Sequence, residues 1–140
     1  MAVRLRWRGK EFTRFTEDKM FRGIVEATNE LKRIARKNAS VVNTGQPRPR
    51  SGKTYYPNSS RPGEPPRMRT GHGQRGIASG TNRARIAGRV GYTPNVRYMA
   101  MHEVGINYRR AGLQKRPTIL PSVRDNRERL AAVFRRGATR

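Results

Sequence analysis

The sequence contains no cysteine, few acidic residues and no long apolar run. Without cysteine the chain forms no disulfide and offers no thiolate to a metal ion, so nothing points to an oxidising compartment. No apolar stretch approaches the roughly 18 residues of a membrane-spanning helix, and residues 1–10 lack the apolar middle of a signal peptide. We therefore expect a soluble protein that is made in the cytoplasm.

The scarcity of reactive side chains also argues against an enzyme. Nine acidic residues and two histidines are a poor inventory for catalysis, and local spacing suggests no pair of carboxylates. Gly71 to Gly76 matches the letters of a dinucleotide-binding motif, but it lacks the preceding strand and the acidic residue about 20 positions later. His102 and Glu103 lack the second histidine of a zinc-protease helix. We predict no catalytic residue, no metal site and no cofactor.

Positive charge is what the chain has in excess. Thirty-two lysines and arginines against nine acids give a net charge of +23. A monomer with this self-repulsion is stabilised by any polyanion or acidic protein surface that neutralises it, and nucleic acid is the first candidate. A solvated cationic surface without a specific ligand is the alternative.

The apolar residues, 34% of the chain, predict a single domain of residues 1–140 with a small core. Within residues 1–10, Val3, Leu5 and Trp7 alternate with arginines, which predicts a first strand or, alternatively, a basic arm that grips DNA. Thr16 is a suitable N-cap for an amphipathic helix of about 20 residues that ends near Asn38.

The predicted core centres on the stretch from Arg89 to Gly105. Thr70 begins a short helical turn that reaches about Ile77, and residues 83–92 alternate as a strand. One face of that strand carries Ile86, Gly88, Val90 and Tyr92. A turn follows, and then a short helix that Gly105 stops, with an apolar side of Val96, Met99, Ala100 and Val104.

The C-terminal segment predicts a last helix. Pro117 to Pro121 precedes it, and residues 135–140 are expected to form a frayed, flexible tail. The apolar side of this last helix consists of Val123, Leu130, Ala131 and Phe134.

Residues 40–69 lack periodicity and are rich in proline and arginine, which predicts a long extended loop. Arginines interleaved with tyrosines suit phosphates and bases, but a loop stiffened by proline equally suits packing across a neighbouring subunit. Residues 106–116 form a second basic loop. The candidate interface residues of the two loops are Arg48, Arg50, Tyr55, Tyr56, Arg61, Arg67, Arg69, Arg109, Arg110 and Arg116.

Four pieces of sequence, in order, resemble a known family. They are residues 61–67 (RPGEPPR) with Thr70-Gly71, Val90-Gly91, residues 98–105 (YMAMHEVG) and residues 116–123 (RPTILPSV). Together they resemble the small tail-component family of long-tailed bacteriophages, whose members are tail-completion or head-to-tail joining proteins of the neck. The chain departs from the family pattern at Gly73, Gly76 and Met99. The motif residues are Thr70, Gly71, Gly91, Tyr98, Glu103, Gly105, Pro117 and Pro121.

The resemblance implies an α+β fold, with a long N-terminal helix packed on a small, mostly antiparallel sheet, short helices and the long Pro/Arg-rich loop. It implies a structural virion protein, assembled in the host cytoplasm, that forms a six-fold or twelve-fold ring around the DNA channel. The implied partners are other copies of the chain, a portal-associated adaptor or stopper, and the tail tube or terminator protein. Non-specific contact with genomic DNA is implied in the channel, and no membrane is involved.

A basic nucleic-acid-binding protein of architectural or ribosomal type is the alternative. In either case we expect Tyr98 and Glu103 to fix the short helix, with Glu103 paired to an arginine. The strand and short helix would then support the bases of both loops.

Overall fold

The computed structural model describes residues 9–41, 48–55, 60, 63–67, 70–105 and 115–140. Its helices are α1 (Gly9–Asn38), α2 (His72–Arg75), α3 (Arg97–Val104), α4 (Ile119–Arg124) and α5 (Arg127–Thr139). Its strands are β1 (Arg48–Arg50), β2 (Lys53–Tyr55), β3 (Ile77–Asn82) and β4 (Ala87–Tyr92), and a 3-10 turn spans Pro94–Val96. The fold class is α+β, as predicted.

The long helix α1 begins earlier than the sequence pattern predicts. It starts at Gly9, so Thr16 lies inside the helix and is not its N-cap. The residues between Gly9 and Thr16 include no proline, and Glu11 places negative charge in the first turn, which favours continuing the helix toward the N-terminus. The predicted end at Asn38 is confirmed. The predicted strand at Val3 to Trp7 lies outside the described residues.

The strands β3 and β4 form an antiparallel hairpin whose inner face packs on α1. Ile77 pairs with Tyr92 and Ser79 with Val90, and these residues face the helix. The prediction that Gly88, Val90 and Tyr92 share a face is confirmed, but Ile86 lies in the connecting turn with a positive φ of 46°. Residues 83–86 are therefore a turn and not the start of the strand.

The helix α1 lies between the hairpin and α5. Ala35 and Ala39 pack with Ile77 in the buried core, on the side of α1 that faces the hairpin. On a different side, Gly23 packs against the ring and carbonyl oxygen of Phe134, so closely that a Cβ atom at Gly23 would overlap both. Small residues thus let both neighbours approach the helix axis.

The C-terminal segment is more ordered than predicted. The expected frayed tail is helical to Thr139, and Gly137 within it is buried against α1. Pro121 lies inside α4, where the first turn tolerates proline because its N–H would have no helical partner. Of the predicted apolar side, Leu130 and Phe134 are half-buried, whereas Val123 and Ala131 are exposed.

Part of the predicted extended loop 40–69 is a second, separate hairpin. The strands β1 and β2 pair in antiparallel register, with Arg50 opposite Lys53. Ser51 and Gly52 connect them with φ values of 49° and 70°, the left-handed conformation that a type I′ hairpin turn has at both central positions. The Pro/Arg-rich segment therefore presents a small β-ribbon.

Candidate interaction surface

The carboxylate of Glu103, at the end of α3, holds the start of α4. Its Oε2 accepts hydrogen bonds from the N–H groups of Thr118 at 2.7 Å and Ile119 at 3.2 Å, and its Oε1 accepts one from the N–H of Leu120 at 2.8 Å. These N–H groups have no partner within the helix, so Glu103 supplies the cap from a different element. The negative charge also complements the positive end of the helix dipole.

Tyr92 joins the same junction from strand β4. Its hydroxyl donates to Glu103 Oε2 at 2.8 Å. Burial raises the pKa of Tyr92, and the neighbouring Glu103 carboxylate raises it further, so the phenol stays protonated and remains a donor. Among the described residues, the expected pairing of Glu103 with an arginine is not found: its partners are backbone N–H groups and a tyrosine.

Both basic loops are tied to this junction at their bases. The N–H of Arg116 donates to the carbonyl of His102 at 2.8 Å, and the N–H of Gly63 donates to the carbonyl of Lys115 at 2.8 Å. The guanidinium of Arg116 also donates to the hydroxyl of the buried Ser60 at 3.3 Å. The end of the first loop and the end of the second are therefore held side by side on α3.

His102 lies at this junction of the two loops with α3, in an environment that favours the neutral form of its imidazole ring. Burial lowers the pKa of His102, and the positive charge of Arg116 lowers it further. The ring of Tyr98 meets the His102 ring edge-on, with 6.5 Å between the ring centres. Tyr98 remains about half exposed, so it borders the junction without being part of the core.

Two of the three motif glycines have a backbone conformation that favours glycine, and the third does not. Gly71 precedes α2 with a φ of 71°, and Gly105 ends α3 with a φ of 76° and donates its N–H to the carbonyl of Met101. Thr70 accepts a weak hydrogen bond from the N–H of His72 at 3.4 Å. A Cβ atom added at Gly91 would meet no atom within 4 Å beyond its chain neighbours, so packing does not explain a glycine there.

The other predicted site residues are only partly brought together. Arg48 is exposed on β1, Arg50 and Tyr55 belong to the same hairpin, and Arg67 is half-buried. Pro117 lies beside the Glu103 junction. Five predicted interface residues are outside the described part of the chain: Tyr56, Arg61, Arg69, Arg109 and Arg110.

Several cations serve the fold itself. Arg33 and Arg129 both bind Glu30, at 2.8 and 2.7 Å. The Arg33 pair lies within α1, whereas the Arg129 pair joins α5 to α1. The hydrogen bond from Arg33 and the charges of both arginines lower the pKa of Glu30 to about 2. Arg36 donates to the carbonyl of Ile77 at 2.9 Å. Sequence periodicity missed this role for Arg36, because its acceptor lies far along the chain.

Among the described residues no helix is long and apolar enough to cross a membrane, and no three potential metal-ligating side chains cluster. Comparisons with models of protein families, with curated proteins and with solved structures find no match for the chain.

Proposed function

We propose that the chain is a structural subunit of the neck or tail of a long-tailed phage, where a ring of copies completes the tail or joins it to the head. One observation carries the proposal: the two basic loops are anchored together, at Gly63, Lys115 and Arg116, on a junction organised by Glu103. A fixed base from which two basic segments emerge suits a protein whose role is to reach its neighbours.

The exposed apolar side chains favour a role in assembly over a role in catalysis. Several large apolar side chains are exposed, among them Phe15, Val104 and Leu120. An isolated subunit with a small core and such exposed residues gains stability when a neighbour covers them. The exposed residues and basic loops indicate an interaction protein, and the resemblance of the sequence to tail-completion proteins favours a phage neck or tail as its assembly.

Binding of free nucleic acid is the second candidate function. Arg85 and Arg89 are exposed in the β3–β4 hairpin and are available to phosphate groups. Measurement of DNA and RNA affinity as a function of salt separates the two functions. Tight binding by the isolated monomer with a steep loss as salt rises favours the nucleic-acid-binding protein, whereas weak binding favours the neck subunit.

Removal of the β1–β2 hairpin tests the proposal directly. A variant in which residues 48–55 are replaced by a short Gly-Ser linker retains Ser60, whose hydroxyl accepts the hydrogen bond from Arg116. We expect it to fold normally but to fail to join heads to tails in an assembly assay. The matched control is Ser51→Asn, since asparagine tolerates the positive φ of this turn residue and keeps the hairpin. Full joining activity of the deletion variant would show that the β1–β2 hairpin has no role in joining heads to tails.

A further inference from the structure

One ring nitrogen of His102 has no hydrogen-bond partner in the fold. The Nδ1 atom is buried and makes no hydrogen bond to any described residue. In the neutral imidazole this is tolerable, because one of the two ring nitrogens carries no proton and needs no acceptor. In the imidazolium both nitrogens carry protons, so a buried N–H with a positive charge would lack an acceptor. The geometry around the ring therefore favours its neutral form.

The charges around the ring act in the same direction. Burial lowers the pKa of His102, and the positive charge of Arg116 lowers it further. The Glu103 carboxylate already accepts four hydrogen bonds from other donors. All nine acids of the chain lie within the described ranges, so the remaining residues supply no carboxylate that could neutralise an imidazolium. The elements that meet around α3 contribute the following charged and titratable groups: Lys115 and Arg116 from the second loop, Glu64 and Arg67 from the first, Arg97, Tyr98 and Glu103 from α3, Tyr92 from β4, His72 and Arg75 from α2, and Arg124 from α4.

Arg116 connects the His102 ring to the bases of both loops. The N–H of Arg116 donates to the carbonyl of His102 at 2.8 Å, and its guanidinium donates to the hydroxyl of Ser60 at 3.3 Å. The carbonyl of the preceding residue, Lys115, accepts from the N–H of Gly63 at 2.8 Å. A positive charge on the His102 ring would therefore repel the residue that holds the first loop, the second loop and α3 together.

We propose that His102 is a pH-sensitive switch, in which protonation of the ring at acidic pH loosens the hold of α3 on the bases of the two basic loops. Because the folded junction favours the neutral ring, it is at full strength above the ordinary histidine pKa of 6.5 and weakens as the pH falls below that value. Histidine is the side chain whose charge ordinarily changes in this range, and the chain has two histidines and no cysteine. The step from loop release to head-to-tail joining rests on the proposed function.

Amide hydrogen exchange of the parent chain tests the switch, with each rate corrected for the intrinsic pH dependence of exchange. The protection factors of the Gly63 and Arg116 N–H groups should fall by about three- to eightfold between pH 7 and pH 5.5, as linkage requires when opening exposes a histidine to protonation. Unchanged protection would overturn the proposal. Protection equal to that of the core N–H of Ala39 would also overturn it, because the loops would then be released only when the whole domain unfolds.

Substitutions at the two histidines assign the effect to one ring. His102→Phe keeps an aromatic ring beside Tyr98 but cannot titrate, so the protection factors should be equal at pH 7 and pH 5.5. His102→Gln is a second variant that cannot titrate, and it should behave in the same way. His72→Gln is the matched control, because His72 is exposed on α2, and it should keep the full fall of the parent chain. A fall that persists in both His102 variants, or that disappears in His72→Gln, would contradict the proposal.

Nuclear magnetic resonance gives a readout of the ring itself. The imidazole resonances of His102 should titrate with a midpoint below that of the same residue in the urea-unfolded chain, and the Gly63 amide resonance should shift with the same midpoint. A His102 midpoint at or above the value for the unfolded chain would overturn the proposal, and so would a Gly63 resonance that does not follow the ring.

A joining assay at two pH values separates this inference from the proposed function. Joining of heads to tails by the parent chain should be weaker at pH 5.5 than at pH 7, and His102→Phe should remove that difference. Protection that falls with acid while joining stays unchanged would leave the switch standing and overturn the role of the loop bases in joining. Protection that does not change would overturn the switch and leave the proposed function standing.

Discussion

Glu103→Ala should be among the most damaging single substitutions in this chain. The carboxylate accepts four hydrogen bonds, from Tyr92 and from the N–H groups of Thr118, Ile119 and Leu120. Thr118 is fully buried and Leu120 is exposed, so water replaces the lost acceptor only at the outer position. Each buried donor left without a partner costs about 1–3 kcal/mol. We expect a total loss of about 3–5 kcal/mol, a large share of the stability of a small domain.

Glu103→Gln separates charge and acceptor capacity from side-chain volume. A carboxamide has one acceptor oxygen, and its NH₂ group would face an N–H donor at the other position. We therefore expect an intermediate loss of about 1–2 kcal/mol. Glu128→Gln, on the exposed side of α5, is the control for removing one negative charge and should change stability by less than about 0.5 kcal/mol.

Urea denaturation gives the free energies of unfolding, and amide hydrogen exchange gives a local probe. In Glu103→Ala the N–H groups of Thr118 and Ile119 should exchange faster than in the parent chain by more than the global loss of stability explains. A stability loss below about 1 kcal/mol, or unchanged exchange at these amides, would show that Glu103 does not cap α4.

Two further predictions concern the packing of α1. Gly88→Ala should destabilise the chain by about 1–3 kcal/mol because its Cβ would overlap the Thr28 hydroxyl, whereas Gly91→Ala on the same strand should change stability by less than about 0.5 kcal/mol; thermal unfolding of the pair checks this, and equal effects would contradict it. The Glu30 carboxyl has a pKa of about 2 against 4.5 ordinarily, so its stabilisation is present above pH 4.5 and is lost as pH falls toward 2. Because Arg33 and Arg129 are more than half exposed, we expect a loss of only about 1 kcal/mol, which Glu30→Gln should abolish; an identical acid profile in that variant would contradict the assignment.

The local sequence pattern was sufficient to predict an element where the structure of that element depends on its own residues. The end of α1 at Asn38, the alternation of Gly88, Val90 and Tyr92, and the stop at Gly105 were all predictable from periodicity and capping. The strand β3 was not, because Ile77–Asn82 contains glycine, serine and asparagine, and it is extended through its pairing with β4.

The contacts of the Glu103 junction could not be predicted from the sequence. Glu103 was predicted to fix the short helix through an arginine, because acids are scarce, whereas it caps α4 and accepts from N–H groups 15 to 17 residues further along the chain. The hairpin at Ser51 and Gly52 carried a turn signal that the flanking prolines obscured, since proline is uncommon within strands. The bond between Arg116 and Ser60 joins two loops, and no local pattern contains that information.

We propose that this chain is a ring-forming subunit of a phage neck or tail. Electron cryomicroscopy of particles that carry a tagged copy of the chain tests it most directly. We expect the tag to decorate a ring of copies at the head-to-tail junction or at the adjoining end of the tail, around the DNA channel. Mature, joined particles that contain no copy of the chain would contradict it.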